Sequence, residues 1–162
     1  IGSYFSLKRK NSKVICLTSE GGFQMNIQEL ATIMHHKIPM KIFIFNNGGY
    51  LTIKQTQILG FKGRIMGADK KSGLSFPSYA ELSKAHKIKY QKISSHKNLK
   101  NKISKVLKTK GPIICELIMN PDEEQIPKAI NRRNSKGKSV PTEFEDMYPF
   151  LPREELNSNY LD

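Results

Sequence analysis

The chain has 162 residues, 38% of them hydrophobic and 25% charged, enough for one domain with a real core. No apolar run approaches the roughly 20 residues of a membrane-crossing helix, so the sequence contains no candidate helical span. With 27 Lys and Arg against 14 Asp and Glu, the formal net charge is +13, and an anionic partner has to be weighed from the start.

Ile1 to Leu7 reads as the tail of a helix, stopped by the polar run Lys8 to Lys13. A chain that opens mid-helix has the pattern expected of a fragment or a processed piece. Val14 to Thr18 is β-branched and aliphatic, a strand expected to be buried on both faces. A glycine turn follows, Ser19-Glu20-Gly21-Gly22. Ile27, Leu30, Ala31 and Met34 then recur at i, i+3, i+4 and i+7, one face of a helix that Pro39 ends. Lys41 to Phe45 is the next strand and runs into Asn46-Asn47-Gly48-Gly49. Strand, helix, strand at this spacing is a βαβ unit with a right-handed crossover. Both glycine turns follow the carboxyl ends of their strands, so they share the edge where open α/β sheets bind ligands.

Tyr50 to Gln57 opens the next helix, and Ile58 to Phe76 is a polar, glycine-punctuated loop. Loops of this length are usually functional or mobile, and this one is expected near the same edge, able to close over substrate. Ser78 N-caps a further helix with Glu81 three residues on, a capping box, and Tyr79, Leu82 and Ala85 are its apolar positions. Tyr90 to Ile93 is a short strand; Leu99, Ile103, Val106 and Leu107 make a helical stripe; Ile113 to Ile118 is the last core strand. This alternation predicts a three-layer α/β fold, a mostly parallel sheet with helices on both faces. From Asn120 the composition shifts to Pro, Asn, Arg and Glu. Two regions are therefore expected, an α/β domain over 1–120 and a partly flexible carboxyl extension over 121–162. Within the extension, residues 128–139 are basic and flexible or surface-hugging. Met147, Tyr148, Phe150 and Leu151 are expected to dock on the domain or on a neighbouring domain or subunit.

Cys16 and Cys115 fall inside strands without CxxC spacing, which reads as inert core thiols in a reducing, cytoplasmic setting. His35 and His36 close the first full helix and, like His86 and His96, read as solvated. Lys84 to Lys110 holds ten lysines and no acid. They are interleaved with an apolar stripe, without arginines or an aromatic platform, as on the solvated face of an ordinary helix. Nucleic-acid binding through phosphates is therefore an alternative and not the main reading.

Residues 13–120 resemble the cofactor-binding domain of thiamine-diphosphate enzymes, in particular acetolactate-synthase-like carboligases and decarboxylases. The resemblance is carried by SEGGFQMNIQELATI, by NNGGYLTIKQTQ and by GLSFPSYAELSKAH. The family fingerprint is Gly-Asp-Gly followed after about 25 residues by Asn-Asn; here Ser19-Glu20-Gly21 precedes Asn46-Asn47 with 24 residues between Gly21 and Asn46. By position, the resemblance makes Glu20, Asn47 and the carbonyl of Gly49 the ligands of a Mg²⁺ bridged to the diphosphate. Mg²⁺ takes hard oxygen donors of this kind. Ser19, Glu20, Gly21, Gly22, Asn47, Gly49, Tyr50 and Leu51 become the cofactor-binding set, with the turn amides on the phosphates. Two residues depart from the pattern. Glu20 carries its carboxylate about 1.5 Å further out than an Asp, and Ser19 adds a Cβ where glycine permits φ > 0 or a close approach.

The resemblance further implies decarboxylation of a pyruvate-like 2-keto acid and transfer of the remaining fragment to an aldehyde or keto acceptor. It implies a homo-oligomer, and a pyrimidine-binding domain, on the same or another chain, that supplies the cofactor-activating Glu. By the same token this piece alone is catalytically incomplete. Its alternative within the fold is a degenerate, non-catalytic binding or regulatory subunit.

Overall fold

The computed structural model describes residues 1–7, 12–123 and 125–160. The polar run expected to stop the first helix lies largely outside the described residues. Two compact units are present, Ile1–Asp122 and Glu123–Asp162.

In the first unit, helix α1 (Gly2–Phe5) precedes strand β1 (Ile15–Ser19), helix α2 (Glu20–Gln24) and helix α3 (Glu29–His35). Strand β2 (Lys41–Asn46), helix α4 (Leu51–Gly60) and a 3₁₀ turn (Lys70–Ser72) come next. They are followed by helix α5 (Tyr79–Ala85), strand β3 (Lys89–Ile93), helix α6 (Leu99–Lys108) and strand β4 (Ile113–Ile118). The sheet runs β1-β2-β4-β3 with every pair parallel, so the expected α/β architecture is the observed one. Parallel pairing also explains the sequence of the central strands. β2 and β4 are covered on both faces and are nearly all apolar.

The register assigns each side chain to a face. Cys16, Ile42, Ile44, Tyr90 and Ile114 point to one side, where Phe23, Leu30, Ile33, Ile38, Tyr79 and Ile88 complete the larger core. Phe43, Ile93, Ile113 and Cys115 point to the other and pack with Val106 and the rest of the α6 stripe, Leu99, Ile103 and Leu107. Burial there pushes the Cys115 thiol up to about 11, so it stays protonated at neutral pH.

Several expectations change. β1 is not buried on both faces: Ile15 is 48% and Leu17 66% exposed. It is an edge strand, and the α6 core reaches only the other three strands. The segment read as a glycine turn is itself the start of a short helix, α2, ahead of α3. Leu30 and Ile33 are buried and Ile27 and Met34 pack half-buried against the core, but Ala31 is exposed. The long loop is shorter than expected, because α4 continues to Gly60. Asp69 then builds a capping box with Ser72, whose amide it accepts at 2.9 Å. Asp69 also pairs with Lys54 at 3.5 Å. Ser78 caps α5 as expected, accepting the Glu81 amide at 3.3 Å, but Ala85 is exposed.

Lys41 reads in the sequence only as the start of a strand, yet it is 2% exposed. Its ammonium donates to the carbonyls of Thr109 (2.5 Å) and Gly111 (2.6 Å), closing the end of α6 that no glycine cap satisfies. Burial, and then the charges of Lys13 and Lys89, lower its pKa.

The second unit holds strands β5 (Arg132–Arg133) and β6 (Ser139–Val140), paired antiparallel, and helix α7 (Arg153–Ser158). Its organising group is Asp146, 6% exposed, which accepts from Arg153 at 2.6 Å and lies 3.9 Å from Arg132. The basic stretch 128–139 thus contains a hairpin, with Asn134 Oδ1 accepting the amides of Lys136 and Lys138 at its turn.

Candidate functional site

The two glycine segments, with 24 residues between Gly21 and Asn46, meet at the carboxyl edge of neighbouring strands. β1 ends at Ser19 and α2 begins directly at Glu20, so the first segment is a strand-to-helix junction with both glycines inside the helix. Ser19 sits at φ −90° and ψ 174°, ordinary extended backbone, and its Cβ causes no strain there. The glycines serve close approach instead. A Cβ on Gly21 would lie 2.5 Å from the Tyr50 ring, and one on Gly22 would lie 2.8 Å from Thr18 Oγ1.

The Asn-Asn segment is two successive side-chain turns. Asn46 Oδ1 accepts the Gly48 amide at 3.0 Å, and Asn47 Oδ1 accepts the Gly49 amide at 3.2 Å. Gly48 takes φ +79°, which suits glycine. Gly49 packs on the 68–69 backbone, where an added Cβ would meet the Ala68 carbonyl at 2.4 Å. Tyr50 donates its amide to that same carbonyl at 2.7 Å and sets its ring edge-on to Phe76, with 5.6 Å between centroids. Leu51 is buried at the start of α4. A groove of about 600 Å³ opens against this turn, lined by Asn47, Gly48, Gly49, Lys54, Asp69 and Lys71 among others.

Glu20 ties the two segments together. It is 0% exposed, and its Oε1 accepts the Gly48 amide at 2.7 Å. Its Oε2 is buried without a partner among the described residues, as is the Tyr79 hydroxyl. A buried carboxylate oxygen left unpaired is costly, which is the condition a cation relieves. Tyr79 keeps its proton well above the ordinary tyrosine range, first because it is buried and then because Glu20 and Glu116 are near. So Ser19–Gly22 and Asn47–Leu51 are brought together, with Glu20 inward and Ser19 exposed at the rim.

One residue of this edge escapes a reading of the sequence, Glu116, the partner of Asn46 in the Asn-Asn motif. Glu116 is 7% exposed and accepts from Asn46 Nδ2 at 2.5 Å and from the Tyr90 hydroxyl. Its signal is present: an acid inside the apolar run IICELI demands donors.

Residues 1–117 match the model of the C-terminal TPP-binding domain of thiamine pyrophosphate enzymes. The chain belongs to that family. Among its relatives is the acetolactate synthase large subunit of Cyanidium caldarium, 32% identical over 117 residues, which are 72% of this chain and 20% of that protein. The acetolactate synthase of Arthrospira platensis is 31% identical over 114 residues, 70% of this chain and 19% of that one. The chain thus spans about one fifth of the length of these relatives. The solved structure of the thiamine diphosphate-dependent 4-hydroxybenzoylformate decarboxylase of Rhodococcus jostii RHA1 shares the fold. It superposes with a TM-score of 0.61 at 22% identity, covering 70% of this chain and 21% of that one. The matched region of this TPP-binding domain contains every element of the site. No helix among the described residues is long and apolar enough to cross a membrane.

Proposed function

We propose that this TPP-binding domain holds the diphosphate of thiamine diphosphate through a Mg²⁺ ion, as part of an acetolactate-synthase-like carboligase or decarboxylase acting on a pyruvate-like 2-keto acid. The observation that carries the reading is Glu20 Oε2, a buried carboxylate oxygen without a described partner, held against the Asn47–Gly49 turn by the Gly48 amide. Glu20, the Asn47 side-chain oxygen and the Gly49 carbonyl form a hard oxygen donor set of the type Mg²⁺ prefers. The longer Glu reaches the Asn turn and is fully packed, which supports a working site over a degenerate one. The bound cofactor supplies the electron sink for decarboxylation. This chain's own residues would bind and orient: Glu20 and Asn47 would hold the metal, the amides at the start of α2 would donate to the phosphates, and Tyr50, whose ring lies against Gly21, would wall the cofactor side. The remaining catalytic groups, including the cofactor-activating Glu, belong to a pyrimidine-binding domain of the same or another chain in a homo-oligomer.

The lysines of α6 favour the plain reading of the charge. Lys100, Lys105 and Lys108 are exposed on the solvated side of a helix whose other face packs on the sheet. Calorimetric titration of thiamine diphosphate into the full-length protein tests the proposal. Binding should require Mg²⁺ and vanish in Glu20→Ala and Asn47→Ala. It should persist in Tyr79→Phe, which removes a buried hydroxyl that is not a ligand. Binding indifferent to Mg²⁺ and to both alanine variants would overturn the reading.

A further inference from the structure

The acid in β4 has a place in this site that its position in the sequence does not announce. Register puts Glu116 opposite Ile44 on β2 and Lys92 on β3, so it shares a face with Asn46 and Tyr90, each two residues removed along its own strand. Its two oxygens are divided: Oε1 takes Asn46 Nδ2 at 2.5 Å and Oε2 takes the Tyr90 hydroxyl. A carboxylate is acceptor-only, so Glu116 dictates which way the Asn46 amide faces. With its NH₂ turned to Glu116, Asn46 presents Oδ1 to the Gly48 amide at 3.0 Å. That same amide is shared with Glu20 Oε1 at 2.7 Å. A continuous chain therefore runs Glu116–Asn46–Gly48–Glu20, from the third strand of the sheet to the carboxylate of the cofactor edge.

We propose that Glu116 is the positioning residue of the Asn46–Gly49 turn, acting through Asn46 to fix the Gly48 amide and, through it, the orientation of Glu20. The inference deepens the cofactor-site reading and rests on it for the consequence at the metal, but the positioning itself does not. Reversing the polarity of one hydrogen bond tests it. Asn46→Asp sets two acceptors face to face, with no donor between them. Adding Glu116→Gln restores the bond in the opposite sense. The new amide on β4 then donates to the new carboxylate on β2, while its carbonyl still accepts from the Tyr90 hydroxyl. The second oxygen of the introduced carboxylate still accepts the Gly48 amide.

Amide hydrogen exchange over residues 46–50 is measured on the full-length protein without ligand, alongside Mg²⁺ affinity in the presence of thiamine diphosphate. Asn46→Asp should speed exchange at Gly48 about tenfold or more and weaken Mg²⁺ about tenfold, which is about 1.4 kcal/mol. Amides within β2 at Ile42–Ile44 should be unaffected. The double variant should return both readouts to within about twofold of the parent. A double variant as impaired as the single would overturn the proposal, as would equal acceleration at Ile42–Ile44, which would make the pair a core-stability device only. Should the parent show no Mg²⁺-dependent binding, the cofactor reading falls while the exchange data still decide the role of Glu116.

Discussion

Among single residues, one glycine of the site lets backbone approach backbone. It is Gly49, since a Cβ there would sit 2.4 Å from the Ala68 carbonyl, well inside any real contact distance. Gly49→Ala must push the turn off the 68–69 segment and stretch the 2.7 Å bond from the Tyr50 amide to the Ala68 carbonyl. It should destabilise the protein by about 1–3 kcal/mol in urea titration and abolish Mg²⁺-dependent cofactor binding. Gly60→Ala, with nothing within 4 Å, is the control and should be tolerated. Glu20 shows the opposite use of space, a large polar side chain fully buried, with one oxygen holding the turn and the other without a partner among the described residues.

Among the elements, α6 separates packing from charge most cleanly. Val106 is 0% exposed between Phe43, Ile113 and Cys115, while Lys105 beside it faces solvent. Val106→Ala should cost about 2 kcal/mol, from lost burial and the cavity left behind. Lys105→Ala should stay within about 0.5 kcal/mol. Chemical denaturation of the two variants checks the pair; equal effects would mean that the lysine-rich face is engaged in something besides solvation. The capped 3₁₀ turn at Asp69–Ser72 acts in the same way, as a local element with one job. The Ser72 hydroxyl and amide, assisted by Lys54, hold the Asp69 carboxyl below its usual range and pin the segment that backs Gly49.

For the molecule as a whole, the two units rest on different physics. Ile1–Asp122 is built on two apolar cores flanking a parallel sheet, whereas Glu123–Asp162 is organised around the buried carboxylate of Asp146. The Arg153 guanidinium, and more weakly Arg132, hold that carboxyl below the ordinary carboxylate range. A group whose folded pKa is depressed contributes stability above its unfolded value, about 3.9, and loses it as pH falls through the folded value. Amide protection within 123–160 should therefore fall in acid below that range while β2 and β4 stay protected. Asp146→Asn should show the loss already at neutral pH. Hydrogen exchange across a pH series, corrected for intrinsic rates, reads both; protection that falls in step across the two units would refute the separation.

The order and kind of the main elements in the first unit, and the pairing of its two turns, follow from the sequence alone; the short helix α2 and the 3₁₀ turn at Lys70–Ser72 do not. Apolar runs of strand length alternate with 3.6-period stripes, and the Ser-Glu-Gly and Asn-Asn segments sit at strand ends a fixed distance apart. Which faces are covered is settled only by folding, because burial depends on what packs opposite. Ile15 and Leu17 read as core yet face outward on an edge strand, and Lys41, which reads only as the start of a strand, lies buried with its ammonium on two carbonyls. Folding also brings Glu116, 70 residues beyond Asn46, to the same edge. That contact arises from strand register across the crossover, a relation between β2 and β4 that no local pattern in the chain encodes.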